Sequence, residues 1–145
     1  MNHILVALDF SDYAEVVLAK AVQLARAMEG SLTILHVAAP EPGFVGLEVG
    51  PQSVRDSRAR VLEKEHQELH RMAEEVKAAG VDARAFLFAG PTSEKILQEA
   101  AKLRVDWIVM GTHGRSAIAT ALLGSVSSAV LHGATCPVVI VPAAK

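Results

Sequence analysis

Apolar residues along the chain follow two patterns, short continuous runs and longer stretches with helical spacing. Residues 4–8 and 107–110 form continuous apolar runs, which are typical of strands covered on both faces of a parallel sheet. Three further runs are rich in β-branched or aromatic residues, at positions 32–37, 83–88 and 138–141. The pattern therefore predicts five strands.

Between these runs, four segments place apolar residues on one face of a helix. Ser11 and Asp12 are candidate caps of the first helix, and residues 53–56 resemble a capping box in which Asp replaces the usual Glu or Gln. The second helix is predicted to be the longest. The four segments run from Ala14 to Met28 before Gly30, from Ser53 to Val76 before Gly80, from Pro91 to Leu103, and from Leu122 to Leu131.

The elements alternate in the order β-α-β-loop-α-β-α-β-α-β, where the loop at residues 40–51 contains three prolines and three glycines. Strands that alternate with helices predict a parallel sheet with helices on both faces. Ligands of such sheets bind beyond the carboxyl ends of the strands, where the strand order reverses. Asp9, Val37 and the loop after Met110 are therefore the first places to search for a site.

Composition and charge narrow the function further. A chain of 145 residues with 51% apolar and 21% charged residues predicts one folded domain over residues 1–145 and excludes disorder. A net charge of −2 disfavours nucleic acid as a partner, and no apolar run approaches the roughly 18 residues of a membrane span. No export signal precedes the first strand, and the single cysteine fits a reducing compartment, so we expect a cytoplasmic protein.

The strongest motif begins at the end of the fourth predicted strand. Gly111 is followed by Gly114 after two residues, and Gly124-Ser125 follows after nine more, at the start of the last helix. Glycines allow positive φ and close approach of a ligand, while the free amides of a helix N-terminus and the hydroxyls of Ser125 and Ser127 suit a phosphate. The same residues also suit an ordinary turn and a serine-capped helix, and geometry alone leaves the two interpretations equal.

At this point the chain resembles a known family, the universal stress proteins. The ATP-binding members share the pattern glycine, two residues, glycine, nine residues, glycine, and serine or threonine, which this chain matches without a departure. The resemblance covers essentially the whole chain. Besides the glycine motif it rests on Ile4-Leu5-Val6-Ala7-Leu8-Asp9, on Leu35-His36-Val37, on Leu123-Gly124-Ser125-Val126-Ser127, and on Cys136-Pro137 with the last strand.

The resemblance implies a flavodoxin-like (adenine nucleotide alpha hydrolase-like) three-layer sandwich of five parallel strands in the order 3-2-1-4-5. It implies ATP with Mg²⁺ or Mn²⁺ as the ligand, a regulatory role with at most slow hydrolysis, and a homodimer joined through the last strand. The alternative is a dimeric interaction module that binds no nucleotide. The implied nucleoside contacts are Ala7, Leu8, Asp9, Val37, Met110 and Gly111, and the implied phosphate contacts are Gly114, Arg115, Gly124, Ser125, Val126 and Ser127.

Other residues leave alternatives open. Asp9 could hold a ribose hydroxyl or a hydrated cation, or only cap the first helix; the glycine motif favours the first two. His113 suits either a phosphate contact or a solvated loop. His36 is expected to be a hydrogen-bonded core residue, and Cys136 a small buried apolar residue. His66 and His70 have the spacing of a helical metal pair, but a solvated face is favoured.

Several enzyme classes are disfavoured by missing motifs. No glycine follows the first strand and no Gly-Lys pair occurs, so the dinucleotide fingerprint and the P-loop are absent from the sequence. Gly124-Ser125-Val126-Ser127-Ser128 is not a nucleophile elbow, and the third strand ends without the aspartate of a phosphorelay receiver. We find no general base paired with a group that could position water.

Overall fold

The structure is a computed structural model that describes residues 1–11, 13–38, 52–112 and 123–142, with the backbone alone for residues 52–57. The predicted loop at residues 40–51 lies outside the described residues. Within them the element order is β-α-β-α-β-α-β-α-β, as the apolar pattern predicts.

Five strands form one parallel sheet in the order β3-β2-β1-β4-β5, which confirms the predicted fold class and strand order. β1 is central, and its residues Ile4, Leu5 and Val6 are fully buried. Such continuous burial explains why this strand has no alternation of polar and apolar residues. The strands are β1 His3–Leu8, β2 Ser31–Ala38, β3 Ala83–Ala89, β4 Trp107–Gly111 and β5 Val138–Val141.

Two helices cover each face of the sheet. α1 and α2 pack on the face that includes Ile4, Val6 and Ile34, and α3 and α4 pack on the opposite face, over Leu5, Leu35 and Ile108. Each face is therefore an apolar core, and the sheet is the middle layer of three. The helices are α1 Ala14–Ala27, α2 Gln52–Ala78, α3 Thr92–Leu103 and α4 Ser125–Gly133.

The start of α1 differs from the predicted capping. The N-cap is Tyr13, without a side-chain cap, and not Ser11; Asp12 lies outside the described residues. The physical reason is a turn before the helix, in which the Asp9 carboxylate accepts the N–H of Ser11 at 2.9 Å and the Ser11 carbonyl accepts the N–H of Ala14 at 3.0 Å. Ser11 is thus used in the turn.

Two other helix starts were also predicted wrongly. α2 already begins at Gln52, so Ser53 lies inside the helix and does not cap it. α4 begins at Ser125, where the glycine motif predicts it, and not near Leu122, where the apolar spacing places it; Leu122 lies outside the described residues. Gly124, with φ −72° and ψ 168°, is extended and donates its N–H to the Thr112 carbonyl at 2.6 Å, so the helix cannot extend further back.

Candidate functional site

The candidate site lies where the strand order reverses. From β1 the chain adds β2 and β3 on one side, and then crosses over to place β4 and β5 on the other. Ala7 of β1 is paired with Met110 of β4 at the carboxyl ends of the two strands. This is the position at which open α/β sheets bind ligands.

A cleft opens at this position between the ends of β1 and β4 and the starts of three helices. Seven residues of the predicted site line it, which brings the implied nucleoside contacts other than Val37 together with the first turn of α4: Ala7, Leu8, Asp9, Met110, Gly111, Val126 and Ser127.

Six further residues of the cleft had no signal in the sequence as site residues. They belong to the turn and first helix after β1 and to the first turns of α3, so their positions depend on how the helices pack across the sheet. They are Ser11, Tyr13, Ala14, Val17, Thr92 and Ile96. Of these, Ser11, Tyr13 and Thr92 carry hydroxyl groups, whereas the other three are apolar.

The amino end of α4 supplies the polar side of the cleft. The first amides of any helix lack intrahelical partners, and no side chain among the described residues caps those of α4. Val126 and Ser127 of this turn line the cleft. Partial positive charge at a helix N-terminus favours an anion, so this wall is suited to phosphate.

Hydrogen bonds fix the first turn of α4 against the end of β4. The buried Ser127 hydroxyl lies 2.9 Å from the Gly111 carbonyl and 3.0 Å from the Thr112 carbonyl. The Thr112 carbonyl also accepts the N–H of Gly124. Because the Ser127 hydroxyl has one proton and both neighbours are acceptors, it acts as an anchor of this turn.

Neither Gly111 nor Gly124 has a positive φ. Gly111 is needed for close approach, since a Cβ at this position would lie 2.9 Å from Cζ of Tyr13. The conformation of Gly124 is open to any residue, so the backbone angles do not require glycine at this position. The expected positive φ of the glycine motif is thus not found at these two positions.

Asp9 is the acidic group of the cleft among the described residues. One of its oxygens accepts the Ser11 N–H, so the carboxylate stabilises the turn after β1. Within the described ranges no group of three or more metal-ligating side chains occurs. A Mg²⁺ or Mn²⁺ ion at Asp9 would take its other ligands from phosphate oxygens and water, which is the usual way that Mg²⁺ is held.

Val37 lies near the end of β2 and is buried. The last β1–β2 pair is Leu8 with His36, so Val37 lies one position beyond the end of β1. It does not line the cleft described above. The expected contacts His113, Gly114 and Arg115 lie outside the described residues.

His36 is the hydrogen-bonded core residue that the sequence predicts. Its Nδ1–H donates to the Leu8 carbonyl at 2.8 Å, and its Nε2 lies 2.8 Å from the Glu65 carboxylate. The ring of Phe10 lies 4.4 Å away between centroids. Since a carbonyl only accepts, Nδ1 is protonated, and the imidazole joins the end of β1 to α2.

The two remaining reactive groups show no sign of a second site. Burial raises the pKa of the Cys136 thiol, and the charge of Asp106 raises it further, so the thiol is not activated. His66 and His70 do not join a cluster of three metal-ligating side chains in the described part of the chain.

None of the described helices has the combination of length and apolar character that a membrane crossing requires.

Comparison with known proteins identifies the family. The model of the Universal stress protein family matches residues 1–142. The chain belongs to the universal stress protein family. It is similar to the universal stress protein YxiE of Bacillus subtilis, with 34% identity over 145 residues, 97% of this chain and 98% of the relative.

Two solved structures extend this comparison within the family. The chain is similar to the solved structure of hypothetical protein MJ0577, with a TM-score of 0.85 and 25% sequence identity. The similarity covers 99% of this chain and 97% of that one. A universal stress protein in complex with cAMP has a TM-score of 0.70 and 26% identity, over 97% of this chain and 96% of the other.

Proposed function

We propose that this universal stress protein binds an adenine nucleotide, ATP together with Mg²⁺ or Mn²⁺, as a regulatory ligand. One observation carries the proposal. The first turn of α4, which no side chain among the described residues caps, lines the same cleft as the carboxylate of Asp9 at the switch point of the sheet. A phosphate-binding wall and a polar group for a sugar or a cation therefore lie side by side.

The phosphates are assigned to the start of α4. The amides of Ser125, Val126 and Ser127 are suited to bind them, because the first amides of a helix have no intrahelical partners and carry partial positive charge. Gly114, Arg115 and His113 complete the phosphate contacts in this proposal, on the strength of the glycine motif that the chain shares with ATP-binding members of the family. The Arg115 guanidinium adds positive charge.

The nucleoside is assigned to the ends of the strands. Ala7 and Met110 offer an apolar surface for the base, and Asp9 offers an acceptor for the ribose hydroxyls. The backbone of Val37, one position beyond the end of β1 and outside the lining of this cleft, is the hydrogen-bonding edge that we assign to adenine. The structural relative in complex with cAMP, which contains adenine, supports an adenine nucleotide. Divalent metal supplies charge neutralisation for the phosphates when it is bound, and Asp9 is the residue that would hold it.

Glycine at position 124 provides the direct test. In Gly124→Val the extended backbone tolerates the new residue, and we expect the β-branched side chain to occupy space that the proposed phosphates need. We expect an unchanged circular dichroism spectrum and loss of ATP binding in isothermal titration calorimetry with Mg²⁺. Unchanged ATP affinity in a folded Gly124→Val protein would contradict the proposal.

The competing hypothesis is an interaction module of the same fold that binds no nucleotide. Heating the purified protein releases any bound ligand, which absorbance and chromatography then identify. Release of adenine nucleotide, or calorimetric binding of added ATP, supports the proposed function. A protein that releases nothing and does not bind ATP at millimolar concentration supports the interaction module.

We also propose that the protein is a cytoplasmic homodimer joined through β5. This strand is an edge of the sheet, and residues 138–140 of it are half-buried. Leu24, Val139, Val141 and Pro142 line an apolar groove beside it. Two copies could pair their β5 strands antiparallel and cover this groove.

Light scattering at micromolar concentration tests the assembly. The full-length protein is expected to be a dimer, and Gly124→Val is expected to stay dimeric because position 124 lies at the strand ends and not at the sheet edge. Removal of residues 138–145 should give a monomer or an aggregate. A monomeric full-length protein, or a truncated protein that remains a clean dimer, would show that the β5 interface is wrong.

A further inference from the structure

The hydroxyl of Tyr13 makes contacts that the proposed nucleotide site does not by itself require. Tyr13 is the single tyrosine of the chain and the N-cap of α1. The Thr112 N–H donates to its hydroxyl at 2.8 Å, and the hydroxyl donates to the Val141 carbonyl at 3.0 Å. The Thr112 hydroxyl lies 3.2 Å away. One phenol thus joins the start of α1 to the ends of β4 and β5.

Thr112 continues this connection to the proposed phosphate site. Its carbonyl accepts the N–H of Gly124 at 2.6 Å and the hydroxyl of Ser127 at 3.0 Å. Its N–H is shared between the Tyr13 hydroxyl and the Val141 carbonyl, which is 3.2 Å away. Thr112 is therefore held on its amide side by Tyr13 and β5, and it holds the first turn of α4 on its carbonyl side.

The neighbouring glycine is adapted to this contact. A Cβ at Gly111 would lie 2.9 Å from Cζ of Tyr13 and 3.4 Å from Cγ2 of Val17. A side chain at position 111 would push the phenol away from Thr112. Since Gly111 has no positive φ, room for the Tyr13 ring is the physical requirement for glycine that the described residues show at this position.

We propose that Tyr13 is a positioning residue for phosphate binding, which acts through Thr112 on the first turn of α4. The inference rests on the proposed nucleotide-binding function and deepens it. Its hydroxyl sets the orientation of Thr112, and the Thr112 carbonyl sets the position of the amides that face the phosphates. The side chains assigned to the base and the ribose, those of Ala7, Met110 and Asp9, take no part in this chain of contacts, so we expect nucleoside binding to be independent of it.

Tyr13→Phe tests the inference, because it removes the hydroxyl and keeps the ring. Thr33→Val is a matched control. It removes a buried hydroxyl, 2.7 Å from Nε2 of His3, at the opposite end of the same sheet. Calorimetry with ATP and with adenosine, in the presence of Mg²⁺, measures the binding of each variant and of the wild type.

We expect the Kd for ATP of Tyr13→Phe to rise about threefold to tenfold, which corresponds to the net value of one neutral hydrogen bond. The Kd for adenosine should be unchanged, and Thr33→Val should bind both ligands as the wild type does. The ratio of the two Kd values is the decisive readout, since a purely structural loss of stability would not separate a ligand with phosphates from one without.

Hydrogen exchange provides a second readout, the first part of which uses the wild type alone. The Thr112 amide of the wild type is expected to be protected, and it should exchange faster in Tyr13→Phe. Rapid exchange of the Thr112 amide in the wild type would overturn the inference. Calorimetry would also overturn it if the affinities of Tyr13→Phe for ATP and for adenosine were both unchanged or fell by the same factor. If the wild type does not bind ATP, both the proposed function and this inference are refuted. If the wild type binds ATP and Tyr13→Phe shows one of the contrary results above, only the inference is refuted.

Discussion

Two serines in the first turn of α4 are expected to have different roles, although both fit the phosphate motif of the sequence. Ser127 is 3% exposed and directs its hydroxyl to the carbonyls of Gly111 and Thr112. Ser125 is exposed. Replacing each with alanine therefore separates the anchoring of the turn from contact with the ligand.

The Ser127 hydroxyl has a single proton, and this limits how much stability Ser127→Ala can lose. The hydroxyl donates one proton to two acceptors, so its removal costs about one hydrogen bond and leaves a buried carbonyl less well satisfied. We expect a loss of about 1–2 kcal/mol in the free energy of unfolding. For a domain of this size, that loss lowers the melting temperature by about 2–8 °C.

Ser125→Ala is the matched control. Alanine is a better helix former than serine and the position is exposed, so the stability should change by less than about 0.5 kcal/mol. If the Ser125 hydroxyl contacts phosphate, its removal weakens ATP binding by about 1 kcal/mol. Ser127→Ala should also weaken ATP binding, because the turn that carries the amides is less firmly held.

Urea unfolding followed by circular dichroism measures the stability, and calorimetry with ATP measures the binding. The expected pattern is a lower urea midpoint for Ser127→Ala and a wild-type midpoint for Ser125→Ala. Equal midpoints for the wild type and Ser127→Ala would refute the anchoring role, and a destabilised Ser125→Ala would refute the division between the two residues.

Three further predictions address the ligand and the thiol. Asp9→Ala should weaken ATP binding by about 1–3 kcal/mol. Asp9→Asn keeps the acceptor for the Ser11 N–H, so it should lose ATP affinity only in the presence of the metal. An equal loss of affinity without metal would argue against a cation at this carboxylate. ATP should bind more tightly than GTP if the Val37 backbone recognises adenine, and equal calorimetric affinities would contradict this. Because the pKa of the Cys136 thiol is raised, the pH at which its alkylation rate is half-maximal should be higher in the folded protein than in the unfolded chain. Asp106→Asn should lower this midpoint pH. A folded-state midpoint equal to that of the unfolded chain would contradict the raised pKa.

The framework of the fold could be predicted from the sequence because it depends on local pattern. Residues 4–6 are fully buried within the sheet, and a continuous apolar run is what such burial requires. The glycine spacing also placed Gly124 and Ser125 at the start of α4, where the structure has them. These features depend on neighbours in the chain.

The remaining features depend on residues that are far apart in the sequence. Tyr13 contacts Thr112 across 99 positions, and nothing local to either residue signals that contact. The buried hydroxyl of Ser127 was likewise expected to face the phosphates, but its bonds to Gly111 and Thr112 arise only when α4 packs against β4. Local capping rules also failed at Ser11, because the turn with Asp9 engages it first.

The central position of β1 has a consequence for the order in which the protein is made. β1 pairs with β2 early in the chain, but its other edge waits for β4, which begins at Trp107. A nascent chain that ends before Trp107 therefore presents the central strand of the sheet, with its fully buried residues Ile4, Leu5 and Val6, with an open edge. Unpaired strand edges of this kind promote aggregation, so C-terminally truncated products should precipitate during synthesis, and chaperone binding should be strongest before β4 emerges.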